Sequence, residues 1–271
     1  MKIVYAAGQT CNQFWIYSNY IADAIENKKK FAIWIPDTAF ESFPNLLNSE
    51  YITYPLYSEK LATYFGYKKY VKGLKTVFGN KFSIRFFNFL LNILPNQSFI
   101  IADVLLEKSQ FRNKNLEKFL PLFAPSESVV LKVDTLMNSI REEYGIVIGV
   151  HIRYGDYRTF KNGQYFYTLE QYSVFFKNIS QIFKDKKVAF YIASNEEIDI
   201  TFFKDYNCFY SSKNLMAEDL YSLSKADYII GPPSTYSAWA SLCGSVPLCF
   251  IEDNKADFSM SNFIDIKDLW F

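Results

Sequence analysis

The stretch "GVHIRYGDY", residues 149–157, holds the only histidine of the chain, His151, and one of its five arginines, Arg153. The two stand where the apolar run "IVIGV" gives way to polar residues. An arginine fork matches the oxygens of a phosphate two at a time. A carboxylate, Asp156, follows close behind. Three more polar sets stand after apolar runs: Ser194, Asn195 and Glu196 after "VAFYIA", Ser234 and Thr235 after "YIIGPP", and Gly8, Asn12 and Gln13 after "KIVYA". A helix N-terminus with spare N–H groups and hydroxyls binds anions. Joined to an arginine, it describes a site for a diphosphate. Each piece also has a plainer reading. His151 would be a satisfied structural histidine, Arg153 would pair with Asp156, Ser234 would only cap a helix, and Gly8 would only turn the chain.

These residues need elements to hold them. "KIVYA" reads as a strand. Phe14, Tyr17, Ile21, Ala24 and Ile25 then share one helical face, and "FAIWI" (31–35) reads as a second strand. A strand–helix–strand opening favours a parallel sheet. From about 41 to 125 the pattern blurs and reads as helical. "RFFNFLLNIL" (85–94) reads first as a core helix. The alternative is an interfacial helix, because Lys68, Lys69, Lys72, Lys75, Lys81 and Arg85 lie before it or at its start. "PLFAPSES" (121–128) is the expected domain boundary. Beyond it, strands "IVIGVHI", "KVAFYIAS", "DYIIG" and "VPLCFI" alternate with helices. Thr168 and Gln171 form a capping box, Ser234 caps a later helix, and Gly244 is expected just past its end. The second half therefore predicts a doubly wound α/β domain. Ligands of such sheets sit beyond the carboxyl ends of the strands, and all four polar sets fall there.

Composition narrows the function. Net charge is +1 in 271 residues, so no global charge favours nucleic acid. Cys11, Cys208, Cys243 and Cys249 form no CxxC pair, which reads as free thiols in a reducing compartment. No run approaches the length of a membrane span. A cytoplasmic protein is expected, with peripheral contact at the inner membrane surface through 68–94 as the added possibility. There is no GxGxxG after the first strand and no GxxxxGK[ST], which disfavours dinucleotide oxidoreductases and P-loop ATPases. One histidine excludes a multi-histidine metal site within one chain. The GxSxG elbow of a serine hydrolase is absent.

"HIRYGDY" resembles the HxRxGDY signature of α-1,2-fucosyltransferases and their bacterial relatives. "GQTCNQFWIY" (8–17) is similar to their GxxxNQxFxY pattern, and "DLYSLSKADYIIGPPSTYSAWAS" (219–241) resembles their late motif. The three stand in the family's order and span most of the chain. The resemblance implies a GT-B-like α/β architecture, with two Rossmann-like doubly wound domains facing a cleft. It implies an acceptor-side domain over 1–125 and a donor domain over 126–271. It implies GDP-β-L-fucose as donor, inversion at the sugar carbon, no metal and no other cofactor, and a glycan acceptor, expected to be galactose O2. The positions matching Asn12, Gln13, His151, Arg153, Ser194, Asn195, Glu196, Ser234, Thr235 and Tyr236 bind the donor. Arg153, Asp156 and His151 are the expected catalytic residues, with Asp156 the nearest carboxylate to serve as base. Departures fall on Tyr154, where many relatives carry a second arginine, on the two prolines of "GPPSTYSAW", and on Cys11, where glycine is usual. The GDP-sugar class is thereby safer than fucose itself. A same-fold transferase using another GDP-sugar and a non-catalytic nucleotide-sugar or glycan-binding protein are the alternatives.

Overall fold

The computed structural model describes residues 1–103, 109–253 and 258–267. The chain divides into two compact units, Met1–Ser126 and Glu127–Phe271.

The first unit runs β1 (Lys2–Ala6), α1 (Thr10–Asn27), β2 (Phe31–Ile33), α2 (Pro44–Leu47), β3 (Ile52–Thr53), α3 (Glu59–Phe65), α4 (Tyr67–Phe78), α5 (Lys81–Asn92), β4 (Ser98–Ala102) and α6 (Leu116–Phe119). Its sheet is parallel, in the order β3-β2-β1-β4. The predicted stripe of α1 is buried at Phe14, Tyr17, Ile21 and Ala24. Phe14 meets Phe43 and Phe123 edge-on, at 4.9 and 5.1 Å between ring centres. A second cluster gathers Ile3, Ala32, Val71, Ile84 and Phe99 around Trp34.

Two expectations for 41–125 are corrected. The segment is not only helical: β4 pairs with β1 along its whole length, from Lys2↔Ser98 to Ala6↔Ala102. The four-residue apolar run 99–102 shows no periodicity that separates strand from helix, so a distant partner decides. Nor is 85–94 a core helix. In α5 only Ile84 is fully buried, while Phe82 and Phe89 are 81% and 68% exposed.

The second unit runs α7 (Glu127–Glu143), β5 (Ile146–Ile152), α8 (Leu169–Ile182), β6 (Val188–Ser194), β7 (Asn207–Phe209), α9 (Met216–Ser224), β8 (Tyr228–Gly231), α10 (Thr235–Gly244) and β9 (Leu248–Phe250). Its five strands are parallel, in the order β7-β6-β5-β8-β9. All seven residues of β5 are buried. They do not alternate, because helices cover both faces of a parallel sheet. Phe176 of α8 stacks on Phe190 of β6 at 4.2 Å. The Thr168–Gln171 capping box starts α8 as predicted.

The order of this sheet has a consequence for function. From β5 the chain builds outward through β6 and β7. It then returns to the other side of β5 as β8. The order therefore reverses between β5 and β8, and in open parallel sheets such a switch point, at the carboxyl edge, is where a ligand is expected.

The end of α10 differs from expectation. Gly244 is the last helical residue, and Ser245 takes the left-handed conformation, its N–H bonding to Ser241 O. Gly244 is there for space. A Cβ at this position would lie 2.0 Å from the carbonyl oxygen of Ser224, the last residue of α9.

Candidate active site

His151 is the penultimate residue of β5, and Arg153 follows its last residue at the carboxyl edge. Parallel pairing sets Ile152 opposite Ser194, so the Ser194–Glu196 loop departs from the same edge. On the other side β8 ends at Gly231. A side chain there would come within 2.8 Å of His151 O. Two prolines follow, and then α10 opens with Thr235. The Tyr236 N–H donates to Ser234 Oγ at 3.2 Å, so Ser234 is the cap.

His151 is buried, and its ring centre lies 4.9 Å from that of Tyr236. The Tyr236 hydroxyl donates to Met216 O at 2.9 Å, which fixes its ring. Among the described residues Nδ1 of His151 has no hydrogen-bond partner. Burial above all, then the Arg153 charge, pushes the imidazole down to about 3. The ring is therefore neutral at pH 7. It can form a hydrogen bond but cannot hold a proton for transfer.

The ion pair weighed for Arg153 is present. Its Nη2 lies 2.8 Å from Asp156 Oδ1. The arginine side chain is largely buried and the carboxylate half exposed. The guanidinium also lies 5.5 Å from the Tyr157 ring centre. Gly155, at φ +61°, makes the turn that brings Asp156 back. The Tyr157 hydroxyl donates to Pro233 O at 2.5 Å. That bond ties the loop after β5 to the loop after β8.

The Ser194–Glu196 loop is held partly by its own side chains and partly by the segment after β5. Asn195 Oδ1 accepts the Tyr154 N–H at 2.8 Å, and Ser194 Oγ accepts the Glu196 N–H at 3.2 Å. Glu196 forms a two-pronged pair with Arg158, both contacts 2.7 Å. Tyr157 and Arg158 were not singled out in the sequence. The signal was at hand: Tyr157 closes the "HIRYGDY" motif, and Arg158 is another of the five arginines.

Asn12 and Gln13 belong to the first unit, after β1. Gly8, at φ +88°, shapes the turn and packs against the Asn12 side chain. Gln13 is buried. Its Nε2 donates to Gly8 O at 3.1 Å and to Asp37 Oδ2 at 3.3 Å. Asp37 also accepts from Thr10 Oγ1 at 3.0 Å, Ala39 N at 2.9 Å and Lys75 Nζ at 2.8 Å. Burial pushes its carboxyl up, but Lys75 and these donors outweigh it, so the group is held below the ordinary range. It is a charged anchor for the turn after β1, and a poor base. Its place shortly after the second predicted strand was the available clue.

A second buried carboxylate behaves oppositely. Asp219 of α9 accepts from the Tyr191 hydroxyl and from Asn214 Nδ2, each at 2.8 Å. Neighbouring Glu218 takes Lys132 at 2.6 Å, so that charge is already engaged. Burial foremost raises Asp219 to about 6. A raised carboxyl favours folding in its protonated form. That contribution is full below the unfolded value near 4 and is lost as pH rises through about 6. Asp219→Asn keeps the acceptor oxygen without the charge. We expect the variant to gain stability relative to wild type between pH 4 and 7, by about 1–3 kcal/mol. Denaturant melts across that range check it. A constant difference between the two proteins would show that Asp219 does not titrate there.

Among the described residues no group of three or more His, Cys, Asp or Glu side chains is placed to hold a metal ion. No helix among them is long and apolar enough to cross a membrane.

No protein-family model matches the chain, and no curated protein matches it. Solved structures do. The fucosyltransferase NodZ from Bradyrhizobium is 13% identical, with 97% of this chain and 96% of that one covered at a TM-score of 0.55. An Arabidopsis thaliana FUT1 mutant in complex with GDP is 12% identical, covering 93% and 71%, at 0.55. POFUT1 in complex with GDP is 11% identical, covering 90% and 94%, at 0.53. The chain thus has the α/β fold of these fucosyltransferases, with two parallel sheets.

Proposed function

We propose that this protein is an inverting glycosyltransferase that moves L-fucose from GDP-β-L-fucose to a hydroxyl of a glycan, galactose O2 being the position the sequence resemblance suggests. The unit Glu127–Phe271 would take the donor and the unit Met1–Ser126 the acceptor. One observation carries the reading: Arg153 just after β5 and the capped N-terminus of α10 after β8 stand at one switch point of the sheet, their loops joined by the Tyr157–Pro233 bond. The fold shared with fucosyltransferases, some solved with GDP, supports it.

The chemistry follows from charge. Transfer breaks a C–O bond between sugar and diphosphate, and negative charge builds on the leaving phosphate oxygen. Donors fixed in advance lower that barrier. Arg153 would supply a charged fork. The first-turn amides of α10, with the Ser234 and Thr235 hydroxyls, would supply neutral donors, and Tyr236 would hold His151 in place. Asp156 would orient Arg153 through their ion pair, and this pairing weakens it as a base. Neutral His151 would donate or accept one hydrogen bond at the donor. Ser194, Asn195 and Glu196 would shape the nucleoside side, and Asn12 and Gln13 the turn after β1. With an arginine and a helix terminus answering the phosphate charge, no metal is needed.

Thermal melts test the donor site. At a hundredfold excess over Kd, GDP stabilises a protein by about 2.7 kcal/mol. In units of this size that corresponds to a rise of about 5–10 °C. We expect the rise, unchanged by EDTA. No rise at millimolar GDP would sink the reading, and a rise abolished by EDTA and restored by magnesium would overturn metal independence. A screen of nucleotide sugars with product detection by mass spectrometry then identifies the sugar. Transfer from a different GDP-sugar would replace fucose, and binding without transfer would make the protein a receptor.

A further inference from the structure

We propose that α5 and the lysines around it dock the protein on an anionic lipid surface. The inference stands apart from the transferase reading, since it uses neither the nucleotide nor the acceptor. It begins with the two apolar faces of α5. One holds Ile84, Phe87 and Leu91, which pack into the Trp34 cluster. The other holds Phe82, Phe86, Phe89 and Ile93, spaced four, three and four residues apart, with Ile93 at the helix end. They are 81, 50, 68 and 63% exposed. At about 100° per residue these four form one continuous outer stripe. Folding needs only the inner face. The outer stripe leaves large rings in water, which marks an interaction surface.

Charge identifies the partner. Lys81 and Arg85 border the outer stripe on the same helix. Residues 59–94 carry seven basic side chains and one acidic, in a chain whose net charge is only +1. Lys75 and Lys68 are spoken for, by Asp37 and Glu41. Among the described residues no salt bridge occupies Lys69, Lys72, Lys81 or Arg85. Tyr64 and Phe65 of α3 add two exposed rings to the same segment, with their centres 4.8 Å apart. An apolar, aromatic stripe bordered by unpaired cations fits a helix lying in a bilayer interface, with rings below the headgroups and lysines among the phosphates. A protein partner would need acidic groups matched to these positions. A bilayer rich in anionic lipid presents them everywhere.

Co-sedimentation with vesicles tests it. We expect binding to vesicles containing phosphatidylglycerol and none to pure phosphatidylcholine, weakening as salt screens the surface. Lys81→Gln with Arg85→Gln removes two surface charges. At roughly fivefold per charge the variant should bind about 25-fold more weakly. Phe82→Ser with Phe86→Ser and Phe89→Ser should weaken binding at least about tenfold. A melt of each variant checks folding, and the glutamine variant keeps the test intact if the serine variant unfolds. Absence of binding at low salt overturns the proposal. So does wild-type binding by the glutamine variant, or equal binding to both lipids. Self-association that the serine substitutions abolish, without vesicle binding, would assign the stripe to a second copy of the chain instead.

Discussion

Arg153→Lys is expected to lower turnover roughly 10²–10³-fold, nearly as far as Arg153→Ala. Lysine keeps the positive charge. It loses the planar fork, which offers several donors in one fixed plane. The surroundings are built for that plane. Asp156 holds Nη2 at 2.8 Å, and the guanidinium lies over the Tyr157 ring. Tyr157 in turn is anchored on Pro233. A flexible ammonium would reach Asp156 and turn away from the phosphate. The magnitude is that of removing one preorganised donor to a developing oxyanion. Melting temperature should fall only modestly in the lysine variant, which keeps a charge beside half-exposed Asp156, and further in the alanine variant, which also loses the largely buried side chain's packing. Steady-state rates with GDP-fucose, read beside a melt, check both parts. Near-normal turnover in the lysine variant would take the fork out of the mechanism.

Gly244→Ala is expected to destabilise the second unit by about 3 kcal/mol or more, the upper end for overpacking. The added methyl would sit 2.0 Å from Ser224 O and 2.8 Å from its carbonyl carbon. Both are backbone atoms, so no rotamer change relieves the clash. The ends of α9 and α10 would have to separate. α9 carries Met216, whose carbonyl takes the Tyr236 hydroxyl, and α10 carries the Ser234 cap. The strain therefore reaches the proposed phosphate site through two elements. A fall of about 6–12 °C in melting temperature is expected. Gly73→Ala is the control: that position has open space and helical neighbours, so alanine should not destabilise. A Gly244→Ala protein that melts with wild type would mean the two helices are not held together as closely as described.

Much of the arrangement is written in residues that are neighbours along the chain. The α1 stripe, the Thr168 capping box, the Ser234 cap and the apolar β5 all rest on contacts within a turn or two, or on burial averaged over a short run. Such signals survive in a linear reading because the interacting groups are a few residues apart. The alternation of strand and helix then dictates parallel sheets, and parallel sheets place His151, Ser194 and Ser234 at strand ends. Tertiary structure decided what those groups touch. Arg153 with Asp156 was one of two readings until the turn at Gly155 brought them to 2.8 Å. Glu196 is taken by Arg158 from 38 residues away, and Asp37 by Lys75 across the same separation. β4 is a strand because β1 accepts it, 96 residues later in the chain. The outer face of α5 has the same composition as a core face, and only the packing of its inner side on Trp34 left it in water. These outcomes depend on strand order and helix packing. They join residues whose separation in sequence carries no periodic or capping signal, so no local pattern could have announced them.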